Sequence, residues 1–66
     1  MAVSILIEGP QDIEGSPLYR VALFHDTKGV FGKEYLVKEA LLARDLAERM
    51  SKDRKLPLLD MTIHKP

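Results

Sequence analysis

His25 and Asp26 stand side by side at the end of an apolar run. The stretch that follows, Gly29-Val30-Phe31-Gly32-Lys33, sets two glycines three apart beside a lysine. These types suggest three kinds of chemistry. The first is phosphate binding. A phosphate-cradling loop of the Walker kind needs four residues between its glycines, then Lys and a Ser or Thr whose hydroxyl holds magnesium. Here two residues separate Gly29 from Gly32, and Glu34 stands where the hydroxyl is needed. A carboxylate there repels phosphate. The Gly-x-x-Gly loop of KH domains is nearer in spacing but joins two helices, whereas an apolar strand pattern precedes this one. The stretch reads as a turn: Asp26 suits the first position of a type I turn and Gly29 the left-handed position that closes it. Gly32 then marks a bulge or the start of a helix.

The second chemistry is metal ligation. His25 and His64, with Asp26 or Asp60, offer three ligands of types zinc accepts. Their spacing matches no metal motif, so they read as surface histidines, and neither a metal nor a cofactor is expected. The third is hydrolysis by Ser4, Ser16 or Ser51. None lies in a strained nucleophile turn, and a domain this small has little room for a cleft of roughly 300 Å³. The chain therefore reads as no enzyme. The enzymatic alternative is a homo-oligomer subunit whose site is shared at an interface.

At 66 residues the chain makes one domain, spanning 1–66. A chain of this size buries only about 60% of its unfolded surface, so its core is marginal. With no cysteine, disulfides and thiolate metal sites are excluded. Ten basic residues balance ten acidic ones. A dedicated nucleic-acid binder ordinarily carries a basic excess, because phosphate contacts supply most of its non-specific affinity. No apolar run reaches the roughly 20 residues of a membrane helix. The apolar N-terminus lacks a basic start and meets Glu8 and Pro10 early, so it reads as a strand and not a signal peptide. The expected location is cytoplasmic, of a cell or of a phage-infected host.

Residues 2–8 alternate as a strand, with Val3, Ile5 and Ile7 on one face and Ser4, Leu6 and Glu8 on the other. Residues 9–17, with two glycines and two prolines, read as a loop closed off from the strands. Residues 18–26 form the second strand, antiparallel to the first: Tyr19, Val21 and Leu23 on one side, Leu18, Arg20, Ala22 and Phe24 on the other. Residues 30–35 fit either a short third strand or the start of the helix. From about residue 35 the period is helical, with Leu36, Ala40, Leu42, Ala43, Leu46, Ala47 and Met50 on one face. Opposite charges recur at four-residue spacing in Glu34–Lys38, Arg44–Glu48, Asp45–Arg49 and Glu48–Lys52. Pro57 stops the helix. Residues 58–65 alternate again, with Leu59, Met61 and Ile63 inward and Asp60, Thr62 and His64 outward, as a strand parallel to a neighbour.

The predicted fold is α+β, a small two-layer sandwich. An antiparallel β-hairpin, with room for a short third strand, is followed by one long amphipathic helix and a final strand, in the order ββ(β)αβ. One helix covers one sheet face, and the other face, carrying Leu6, Leu18, Ala22 and Phe24, is left without a layer. An uncovered apolar face is a natural docking surface, so protein binding is the expected function, with self-association as a homodimer one form of it. Phe24, Lys28, Phe31, Lys33 and Tyr35, around the turn, are the expected contacts. The alternative is a small nucleic-acid-binding or regulatory protein using Lys52, Arg54, Lys55 and Lys65. In format, a short cysteine-free chain with one helix and no catalytic motif, the sequence resembles the small proteins by which phages and mobile elements act stoichiometrically on a host complex. Inhibitors of CRISPR defence are one such group. That resemblance implies a non-enzymatic inhibitor and no membrane partner.

Overall fold

The computed structural model describes residues 2–63. The order is β1 (Val3–Ile13), β2 (Ser16–His25), β3 (Gly29–Val37), α1 (Ala40–Arg54) and β4 (Leu58–Thr62). The strands form one sheet in the spatial order β3-β2-β1-β4. The pairs β1–β2 and β2–β3 are antiparallel, and β4 returns from the helix to lie parallel to β1. This is the expected ββ(β)αβ sandwich, with the third strand present and nine residues long.

The helix covers the face that carries Ile5, Ile7 and Val21, which with Ala43 and Ala47 form the buried core. Tyr19, Leu23, Tyr35, Val37 and Leu58 pack around it from the same face. Alanines at 43 and 47 put no bulk between helix and sheet, so the two layers approach closely.

Four expectations about the elements need correction. Residues 9–17 are not a loop. The hairpin ladder continues through Gln11↔Leu18, Asp12↔Pro17 and Ile13↔Ser16, and only Glu14 and Gly15 turn. The prolines fit because each avoids the donor position. Pro10 falls in a register shift between Glu8 and Gln11, behind a cis Gly9–Pro10 bond, and Pro17 lies next to the start of β2. Gly9 is required at this bulge: its φ is 135°, and an added Cβ would lie 2.9 Å from the Leu18 carbonyl oxygen.

The helix begins at Ala40, not near 35. Leu36 and Val37 continue β3, paired with Arg20 and Tyr19, and Glu39 is still extended at φ −103° and ψ 132°. Leu36 is thus not a helical core residue, and Glu34 ion-pairs with Arg20 and not along a helix with Lys38. The helix rotates so that Ala43 and Ala47 face the sheet, which leaves Leu42 57% exposed.

Finally, β4 presents the opposite faces to those expected. Its register is Ile5↔Leu58, Leu6↔Leu59, Ile7↔Asp60 and Glu8↔Met61. Leu58 therefore enters the core, and Asp60 lies on the helix side, where Arg44 Nη2 donates to its Oδ2 at 2.6 Å. Leu59 and Met61 stand on the uncovered face. His64, the last residue expected outward on this strand, lies outside the described residues, and Ile63 follows the strand and is 65% exposed.

Candidate docking face

The registers build the uncovered face row by row. Across the four strands the first row reads Leu36, Arg20, Glu8, Met61. The second reads Ala22, Leu6, Leu59, and the third Val30, Phe24, Ser4. Among the described residues no element packs on these side chains, because the helix is spent on the other face. Leu6 and Ala22 at the centre are nonetheless buried, shielded by their neighbours in the sheet, while the flanks are open: Leu36 is 51% and Met61 57% exposed. These two lie on the outer strands, three strand spacings or about 14 Å apart.

Between them sits an ion-paired cluster. Arg20 Nε donates to Glu8 Oε1 at 2.6 Å, Arg20 Nη2 contacts the same oxygen, and Arg20 Nη1 donates to Glu34 Oε1 at 2.8 Å. The Glu8 hydrogen bond, helped by Glu34 and opposed by partial desolvation, holds the guanidinium proton more firmly than usual. One cation facing two carboxylates leaves this cluster with a net negative charge. It carries no spare cation for a phosphate.

The edges of the sheet are guarded. In β4, Ile5 N–H donates to the Pro57 carbonyl and Ile63 N–H to the Gly9 carbonyl, both at 2.8 Å. Odd-numbered backbone groups thus face β1, and even-numbered ones point outward. The outward N–H of Thr62 donates to Asp60 Oδ1 at 2.9 Å, and Thr62 Oγ1 donates to the same atom at 2.5 Å. The Thr62 hydroxyl first, then Arg44 and the Thr62 N–H, hold the Asp60 carboxyl well below the usual carboxylate range. On the other edge, a register shift between Val21 and Leu23 bulges β3 at Gly32, Lys33 and Glu34. Bulges and edge lysines discourage strand addition.

The five expected contacts do not share one surface. Phe24 lies on the uncovered face opposite Val30. Phe31, 40% exposed, is opposite the core residue Leu23, and Tyr35 packs on the core itself, so both belong to the helix side. Lys33 Nζ sits 5.2 Å from the Tyr35 ring centroid. Lys28 is exposed on the turn. Sequence reasoning missed Leu36, Leu59 and Met61, because it assigned the first to the helix and the other two to the core.

The remaining candidates are spread out. Lys52 and Arg54 occupy the last turn of α1, and Lys55 is its left-handed C-cap at φ 55°. Lys65 lies outside the described residues. Among the described residues no three His, Cys, Asp or Glu side chains come together to hold a metal ion. A groove of about 410 Å³ runs between α1 and Leu58, larger than expected, lined by Asp45, Glu48, Arg49, Ser51 and Lys52. Its serine is engaged: Ser51 Oγ donates to the Leu56 carbonyl at 2.5 Å and helps close the helix end. Among the described residues no helix is long and apolar enough to cross a membrane. No family model, no curated protein and no solved structure matches this chain.

Proposed function

We propose that this chain is a non-enzymatic protein-binding module that docks on a larger macromolecular complex through the uncovered face of its sheet. The observation that carries this reading is the pair of exposed side chains Leu36 and Met61, set at the flanks of one four-strand row above an apolar second row. Exposed apolar side chains gathered on a face that no layer covers mark an interaction surface. Protein is favoured over nucleic acid because Arg20 is already held by Glu8 and Glu34. The finer reading is stoichiometric inhibition of a host complex, in the manner of small phage-borne inhibitors of CRISPR defence, in the cytoplasm of an infected cell. Its support is the format of the chain: short, cysteine-free and without a catalytic constellation.

The test is capture from a lysate of the native host by the wild-type chain and by Leu36→Glu and Met61→Glu, with Leu41→Glu on the helix as control. A protein retained by wild type and control, and lost with both face variants, is expected. Retention that survives both face substitutions moves docking elsewhere. If no protein is retained and the chain instead binds DNA or RNA with a steep dependence on salt, the nucleic-acid alternative replaces this reading.

A further inference from the structure

The β2–β3 turn is held by a side chain whose acceptor can be switched off. His25 is the last residue of β2, paired with Gly29 at the start of β3. Its Nδ1 receives the backbone N–H of Thr27 at 3.2 Å and that of Lys28 at 3.3 Å, with Thr27 Oγ1 at 3.1 Å. A backbone N–H can only donate, so Nδ1 must offer a lone pair and the ring proton sits on Nε2. The imidazole plays the part that an Asp or Asn side chain plays in an Asx turn, bonding amides two and three residues on. An Asp or Asn oxygen stays an acceptor across the physiological range. A neutral imidazole does not, because taking up a proton from water turns both ring nitrogens into donors.

We propose that His25 is a proton-operated clasp: neutral, its Nδ1 holds the β2–β3 turn closed; protonated, it faces two backbone N–H groups it can no longer accept from and releases the turn. Gly29 keeps the turn tight at φ 80° with open space around it, so the released backbone has room to move and water to bond. The ladder pair that follows His25↔Gly29 is Phe24↔Val30, the third row of the uncovered face. Release therefore loosens one end of that face. This consequence rests on the docking reading above, while the clasp does not.

Across the sheet His25 is opposite Val3 and Gly29, neither of them charged. The charged groups of its own turn are Asp26 and Lys28, both exposed. Asp26 contributes its backbone N–H to the Ala2 carbonyl at 2.9 Å, which anchors the end of β2 to β1 independently of the clasp. Among the described residues no hydrogen bond or ion pair joins the ring to α1.

The experiment is an NMR titration of the full isotope-labelled chain from about pH 8 to about pH 5, where imidazoles ordinarily change charge, with no partner added. The expected result is the Nε2–H tautomer of His25 at the alkaline end. The amide signals of Thr27 and Lys28 shift with the same midpoint as the ring, those of Phe24 and Val30 follow, and those of Ile7 and Val21 stay put. An Nδ1–H tautomer at high pH, or turn amides that ignore the ring, overturns the proposal. His25→Asn keeps an acceptor that does not titrate, so the Thr27 and Lys28 signals become flat with pH; persistence of the transition counts against the clasp. Asp26→Asn leaves the midpoint in place, and a midpoint lost with Asp26 assigns the transition to the carboxylate instead. If His25→Asn does not fold, the wild-type tautomer and coincident midpoints decide alone. Because no partner is present, failure of the docking face leaves this result untouched, and failure of the clasp leaves the Leu36 and Met61 result untouched.

Discussion

The two faces of the sheet use the same strands for opposite ends. On the helix side Ile5, Ile7 and Val21 are essentially inaccessible, sealed by Ala43 and Ala47 from α1. On the other side Leu6 and Ala22 are just as deep, but they are shielded only within the sheet, and the row beside them ends in exposed Leu36 and Met61. Burial on the first face comes from a second layer. Burial on the second comes from neighbours on adjacent strands and from the Arg20 cluster laid beside them. The first arrangement is finished. The second is apolar at its centre, open at its flanks and able to accept another layer. The single helix covers one face of the sheet, and among the described residues no second layer lies on the other.

Substitutions can break or sharpen this contrast, and the largest effect belongs to the finished face. Ile7→Ala should cost about 2–5 kcal/mol, a large share of the stability of so small a domain. Urea denaturation should show the midpoint collapse or the chain unfolded in buffer. At the bulge that lets β1 and β2 run on past the core, Gly9→Ala should cost on the order of 1–3 kcal/mol, because the new Cβ meets backbone atoms in a conformation that L residues avoid. A wild-type urea midpoint would show that the bulge adjusts freely.

The guarded edge comes next. Asp60→Asn weakens the Arg44 pair and the Thr62 cap at an exposed site, for at most about 1 kcal/mol. Its pH signature is more telling. The Asp60 carboxyl has a depressed pKa in the folded chain, so its contribution is complete above the ordinary aspartate value of about 3.9 and is lost as the pH falls below it. Wild type minus Asp60→Asn stability, measured by urea titration at several pH values, should therefore shrink on acidification and not on alkalinisation. The smallest effect belongs to the open flanks. Met61→Glu and Leu36→Glu should change stability by about 0.5 kcal/mol or less. A loss as large as that of Ile7→Ala would mean that the two faces are not different in kind.

Much of this contrast was legible in the residues. The alternation of Val3, Ile5 and Ile7 against Ser4, Leu6 and Glu8 assigns the two faces of β1, and Tyr19, Val21 and Leu23 do the same for β2. The uncovered face with Leu6, Ala22 and Phe24 follows from those two strands and one helix. Its flanks do not. Leu36 fits a helical stripe as well as a strand, and only pairing with Arg20 places it in β3. Likewise, residues 58–63 alternate, with Leu59, Met61 and Ile63 on one parity and Asp60 and Thr62 on the other, so the pattern points Asp60 away from the core, whereas the register with β1 and the Arg44 pair place it on the helix side. The Gly-Pro pair reads as a loop because its usual effect is to end a ladder, whereas a bulge removes the donor positions and lets the ladder resume.

Composition and short-range periodicity thus settled the β1–β2 hairpin, the inner faces of its strands, one helix followed by a final strand, and the absence of cysteine chemistry, all properties of neighbouring residues. Tertiary structure decided where α1 starts, which way β4 faces, that Arg20 spends its charge on Glu8 and Glu34, and that Asp60 caps its own strand edge. Each of these depends on register between segments distant in sequence. A shift of one residue in a strand exchanges every side chain between the faces, and local alternation says which residues share a face but not which face meets the helix.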